Sequence, residues 1–123
     1  MVTTVGLEND FTTAIKDLIE LDYDAIAAYD AALSRLDNED YKNSLTSFKE
    51  DHERHITELS SFLTHKGEEV PIGPSAKSYL TQGKVILANL IGDETILRAM
   101  RSNEIDTNTA YGRINNCKCP APL

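Results

Sequence analysis

No apolar run in the 123 residues approaches the roughly 20 that a membrane span requires, and Met1 to Asp10 lacks the basic start and apolar core of a signal peptide. The expectation is a chain that does not enter membranes and resides in the cytoplasm. Cysteine is scarce as well: the two present, Cys117 and Cys119, lie in the last seven residues, where a disulfide between positions i and i+2 would be strained and no framework can form. Cys117-Lys118-Cys119 either binds a soft metal or bridges two chains, or, more plainly, sits in a tail whose thiols have no task. Basic residues are outnumbered, 12 Lys and Arg against 20 Asp and Glu, for a formal charge of -8. That balance argues against nucleic acid as a partner and favours cations. Neither a strand-like alternation, nor a low-complexity tract, nor a phosphate-cradling glycine loop, nor a nucleophile motif occurs.

What is present is helical periodicity. Asn9 or Asp10 can cap a helix carrying Phe11, Ile15, Leu18, Asp22, Ile26, Tyr29, Leu33 and Leu36 at three- and four-residue steps, ending near Leu36. Asp37 and Asn38 form a two-residue link and cap a second helix, whose seam runs Tyr41, Leu45, Phe48, His52, His55, Ile56, Leu59, Phe62 and Leu63 until Gly67 stops it. So short a link favours an antiparallel hairpin. Pro71, Gly73 and Pro74 mark the long loop from Gly67 to Pro74. A shorter helix is expected over Ser75 to Leu90. After Gly92-Asp93, a last helix carries Ile96, Leu97, Met100, Glu104, Thr107, Tyr111 and Ile114. The length fits one domain, 1–123, with a core over about 9–116 and a tail from 117.

Each long helix places one ionisable residue in the middle of its apolar seam, with bulky neighbours one heptad away on both sides. The triplets are Ile15, Asp22, Tyr29; Leu45, His52, Leu59; and Leu97, Glu104, Tyr111, with His55 between Phe48 and Phe62. Residues seven apart share a helix face, so these four groups should turn inward with their neighbours. Charge buried there is costly unless compensated. Two readings stand at this point. Asp22, His52, His55 and Glu104 hold a metal, for which two imidazoles and two carboxylates suit iron(II), manganese or zinc. Or the imidazoles and carboxylates pair with one another as a polar layer that fixes helix register without a metal. Tyr29 and Tyr111 read as core aromatics with a hydroxyl handle, and Asp51, Glu53, Arg54 and Glu58 as a solvated, salt-bridged face.

The first and last helices share a pattern, Asp22-x6-Tyr29 and Glu104-x6-Tyr111, as an internal duplication would leave. On this pattern, together with Leu21 to Tyr29 and Asp51 to Leu59, the chain resembles the ferritin-like superfamily. Its nearest likeness there is to small bacterial domains of unknown function, distant relatives of bacterioferritin and rubrerythrin. The resemblance spans roughly residues 9 to 116. It implies an all-α, ferritin-like antiparallel bundle and a metal, iron foremost, held in the bundle core, with oxidase or storage activity. This chain departs from the family pattern in three places. His52 stands where the family has an acid, Asp22 where it usually has glutamate, and Asn115-Asn116-Cys117 where a fourth long helix would follow. The expected architecture is therefore three long helices and one short, with the fourth long helix missing. Either a homodimer closes the bundle, and completes the site in trans, as the expected assembly, or the short Ser75 to Leu90 helix covers the open seam and leaves a single-metal site of Asp22, His52, His55 and Glu104. The class to weigh against it is a metal-free scaffold or stress-related interaction module on the same fold.

Overall fold

A computed structural model describes residues 10–73 and 92–115, and all regular structure among them is α-helical. Helix α1 spans Phe11–Leu33, α2 Glu39–His65 and α3 Asp93–Asn115. The expected short helix over Ser75 to Leu90 and the two cysteines of the tail lie outside the described residues.

Side chains with free carbonyl oxygens start the first two helices. Asp10 caps α1 by accepting a hydrogen bond from the Thr13 backbone N–H at 3.0 Å, and Asn38 caps α2 by accepting from Tyr41 N–H at 3.1 Å. The end of α2 is a glycine stop. Gly67 adopts φ +71°, its N–H donates to the Thr64 carbonyl, and Glu68 N–H donates to Leu63. This paired 6→1 and 5→2 closure needs the left-handed conformation that glycine takes without a Cβ penalty.

Helix α1 stops earlier than its apolar stripe. Regular structure ends at Leu33, and Ser34 to Asn38 make a five-residue link in place of the expected two-residue one. Leu36 is nonetheless buried, because its N–H still donates to Ala32 and the turn folds its side chain onto the core. Hydrophobic spacing thus outlasted the helix itself. The link is held from a distance: the two carboxylate oxygens of Asp93 accept hydrogen bonds from the backbone N–H groups of Asp37, at 2.9 Å, and Asn38, at 3.0 Å. The start of α3 is thereby fastened to the α1–α2 turn.

The helix directions follow from the cross-pairs. Asp30 meets Lys49, Asp22 meets His52 and Phe11 meets Phe62, so α1 and α2 run antiparallel. Tyr29 meets Glu104 and Asp22 meets Tyr111, so α1 and α3 do too. Helix α1 packs closely on both others, whereas α2 and α3 lie further apart and meet only through side chains such as His52 and Glu104. Twelve of the 23 residues of α1 are buried, far more than on the outer helices.

Two apolar clusters lie along α1. The first joins Phe11, Ile15, Leu18, Ile19 and Leu21 to Ile56, Leu63, Ala110 and Ile114. The second joins Ala28, Tyr29 and Ala32 to Leu36, Leu45, Ile96 and Met100. Asp22 lies on α1 between Leu21 and Ala25, both of the first cluster, and about one and a half turns before the second begins at Ala28. On α2 the expected seam is only half realised: Leu45, His52, Ile56 and Leu63 are buried, but Tyr41 and Phe48 are 41% and 48% exposed. Phe48 borders two cavities between α2 and α3, where it is left half uncovered.

Candidate metal centre

The middle of α1 places Asp22 where both outer helices can reach it, and its side chain is fully buried. A lone carboxylate in that position would be strongly unfavourable. Each oxygen has a partner. Oδ1 lies 2.8 Å from His52 Nδ1 on α2, and Oδ2 accepts a hydrogen bond from the Tyr111 hydroxyl on α3 at 2.6 Å. The other ring nitrogen of His52, Nε2, lies 2.7 Å from Glu104 Oε1, which also accepts from the Tyr29 hydroxyl.

The result is one hydrogen-bonded chain, Tyr111 to Asp22 to His52 to Glu104 to Tyr29, with local two-fold character. Helix α1 supplies an acid and a tyrosine seven residues on, α3 supplies the same pair, and each tyrosine binds the acid of the opposite helix. His52 stands at the centre, between two carboxylates. The repeated acid-x6-tyrosine pattern carried this arrangement in the sequence. The reciprocal crossing of the pairs did not show there, because it depends on the antiparallel packing of α1 and α3.

Charge in this chain is fixed by its neighbours. Burial alone pulls the His52 imidazole down, but hydrogen bonds to Asp22 and Glu104, reinforced by both negative charges, outweigh it and hold the pKa up at about 9. With carboxylates on both nitrogens, His52 is a doubly donating imidazolium at neutral pH. Glu104 is pushed up by burial yet ends below the usual glutamate value, because His52 and Tyr29 both stabilise its anion. Tyr29 and Tyr111 are driven well above the ordinary phenol range, by burial first and by the carboxylates they face, so both stay protonated donors.

His55 lies one turn further along α2. Its ring centroid is 5.0 Å from that of Tyr111 and 6.0 Å from that of His52. Its Nδ1 is buried and has no hydrogen-bond partner. Asp22, His52 and His55 each bring a ligand atom within 4.8 Å of the others, so these three residue types converge as a metal-ligating set. Glu104 lies on the far ring nitrogen of His52, outside that triad. Of the four residues singled out by spacing, three thus cluster directly and the fourth joins through His52. A cavity of about 290 Å³ opens beside them between α2 and α3, lined among others by Asp51, His52, His55, Glu104, Thr107 and Tyr111.

The donor set fits a divalent transition ion: a carboxylate oxygen and two imidazoles, one of which has a buried ring nitrogen without a hydrogen-bond partner. Arg54 pairs with Asp51 at 3.3 Å and with Glu58 at 3.8 Å on the solvent side of α2, as a salt-bridged surface should. Asp51 also turns partly inward to line the cavity, which its place outside the seam had not suggested. Two buried polar residues escaped the periodicity. Asp24 on α1 is fully buried, and Asn103 on α3 is 8% exposed with its amide Nδ2 unpartnered. Only their three- and four-residue spacing from Leu21, Ala28, Met100 and Thr107 could have pointed to them.

The family model of a domain of unknown function, DUF2383, matches residues 10–116. No curated protein and no solved structure matches the chain.

Proposed function

The chain belongs to the DUF2383 family, whose description leaves its function open, and from the chemistry of its core we propose that it is a metal-binding helical bundle protein. Asp22, His52 and His55 are the ligands proposed on geometry, with Glu104 holding the opposite nitrogen of His52. The observation that carries the reading is the buried, unpartnered Nδ1 of His55 beside a carboxylate and a second imidazole. An imidazole nitrogen left without a partner in a core is costly unless something else fills its need. Iron(II), manganese and zinc all accept this ligand set, and the ferritin-like resemblance, where it bears, favours iron and oxygen-dependent chemistry. The open flank between α2 and α3 supports the further proposal that two chains associate and close the bundle over the site.

The test is metal uptake. After stripping and reloading with iron(II) or zinc under anaerobic conditions, the protein should bind about one ion per chain, or one per dimer. Replacing both histidines, His52→Ala with His55→Ala, should abolish uptake while the helical circular-dichroism signal persists. Unchanged stoichiometry in the double variant would sink the assignment.

One feature favours a second reading, a metal-free scaffold. Both ring nitrogens of His52 already bind carboxylates, so the layer of Asp22, His52 and Glu104 is satisfied within the protein. On this reading no ion is taken up, and the fold loses stability when either the imidazolium or a carboxylate is neutralised.

A further inference from the structure

A second cavity, of about 260 Å³, adjoins the first between α2 and α3, sharing Phe48 and Glu104 with it, and its character differs. Its walls are almost wholly apolar: Leu45 and Phe48 from α2, Leu97 and Met100 from α3. Leu45 and Met100 belong to the core and fix the floor, while Phe48 is half exposed at the edge. The side chain of Arg101, an exposed residue, also borders this cleft. Among the described residues Arg101 has no ion pair, unlike Arg98 one turn earlier on α3, which pairs with Glu94 at 2.9 Å, and Lys49, which pairs with Asp30 at 2.7 Å. Glu104, at the inner end, is engaged through its Oε1 by both His52 and Tyr29.

We propose that this cleft binds a small amphipathic carboxylate, its apolar chain between Leu45, Phe48, Leu97 and Met100 and its carboxylate paired with Arg101. An apolar slot with one uncommitted guanidinium at its edge is complementary to an anion with a hydrocarbon tail. A hydrocarbon amine would meet the guanidinium as a like charge, and a neutral alcohol would leave it unanswered. At about 30 Å³ per water-sized group, the volume holds about eight methylene-sized groups, a medium straight chain. Nothing in this proposal depends on the metal reading, since none of the four apolar walls and not Arg101 belongs to the ligand set; it is exclusive of a second chain seated on this same cleft.

Octanoate is the probe, added to metal-stripped protein carrying a labelled methionine methyl group. The chain has only two methionines, Met1 and Met100, so the Met100 methyl resonance reports directly from inside the cleft. Octanoate should shift it saturably at concentrations below about 1 mM. Arg101→Gln, an exposed change that leaves the helices intact, should weaken the apparent affinity about ten-fold. Leu97→Trp, which fills the slot, should remove the response, and octylammonium should give none. Equal octanoate affinity in wild type and Arg101→Gln would overturn the proposal, as would equal binding of octylammonium or the absence of a saturable shift. So would a stable dimer in sedimentation whose Met100 methyl ignores octanoate, since a second copy would then be the occupant. Because the protein is metal-free throughout, failure of metal uptake and failure of this test are separate results.

Discussion

His52 between two carboxylates dictates how the metal-free fold responds to pH. In the folded protein its pKa is held up at about 9, against an ordinary value of 6.5. A group whose folded pKa is raised contributes stability in full below the unfolded value, and loses it progressively as pH rises through the folded one. The contribution is therefore complete at pH 6 and gone above about pH 10. At 1.36 kcal/mol per unit, the displacement is worth at most about 3 kcal/mol. In a protein of this length, that loss should lower the thermal midpoint by about 10 °C. Glu104 acts at the other end of the scale. Its folded pKa is lowered, so its contribution is present above the ordinary glutamate value and disappears as pH falls below it. Together the two groups place the stability maximum between about pH 5 and about pH 6.5. The assay is thermal unfolding followed by circular dichroism in the presence of chelator, at half-unit steps from pH 4 to pH 10, on wild type and on His52→Gln. Wild type should fall on both sides of the maximum. The variant should lose the alkaline decline and be less stable by about 3–5 kcal/mol near pH 6, where two buried acids then lack their shared cation, with the gap narrowing as pH rises toward 10. A flat wild-type profile between pH 6 and pH 10, or an alkaline decline that survives in His52→Gln, would refute the reasoning.

Other consequences concern the partners of that layer and the frame around it. Tyr111→Phe removes the hydroxyl that donates to Asp22 Oδ2 at 2.6 Å and should cost about 1.5–3 kcal/mol in urea unfolding, as expected for a hydrogen bond to a charged group. Tyr29→Phe should cost a similar amount at Glu104, and the double variant should deviate from additivity, since both tyrosines act on one chain through His52. Asp93→Ala frees two backbone N–H groups in the α1–α2 link and should destabilise by about 1–3 kcal/mol, with amide hydrogen exchange of Asp37 and Asn38 accelerated more than that of the core. Leu63→Ala, at a fully buried position near the end of α2, should cost about 2–5 kcal/mol and lower the urea midpoint without changing the slope.

Periodicity alone determined that this chain is helical, that its three described helices lie where apolar residues recur every three or four positions, and that Asp22, His52, His55 and Glu104 occupy seam positions. Those properties are local: they depend on the 3.6-residue repeat, on capping side chains such as Asp10 and Asn38, and on Gly67 tolerating a positive φ. Tertiary structure decided what depends on which helices touch. Tyr41 and Phe48 satisfy the same heptad rule as Leu45 and His52, yet stay exposed, because α2 packs closely on α1 alone and reaches α3 only through side chains such as His52. Leu36 continues the stripe of α1 and is buried, although the helix has already ended. Asp24 and Asn103, polar residues with no signal of their own, are buried because the packing of the bundle covers their faces. The acid-x6-tyrosine repeat was plain in the sequence, but the exchange of partners, with Tyr29 serving Glu104 and Tyr111 serving Asp22, exists only once antiparallel packing sets residue 29 beside 104 and residue 111 beside 22. The same packing puts one histidine between two acids, and so fixes its charge, which no spacing along a single helix could do.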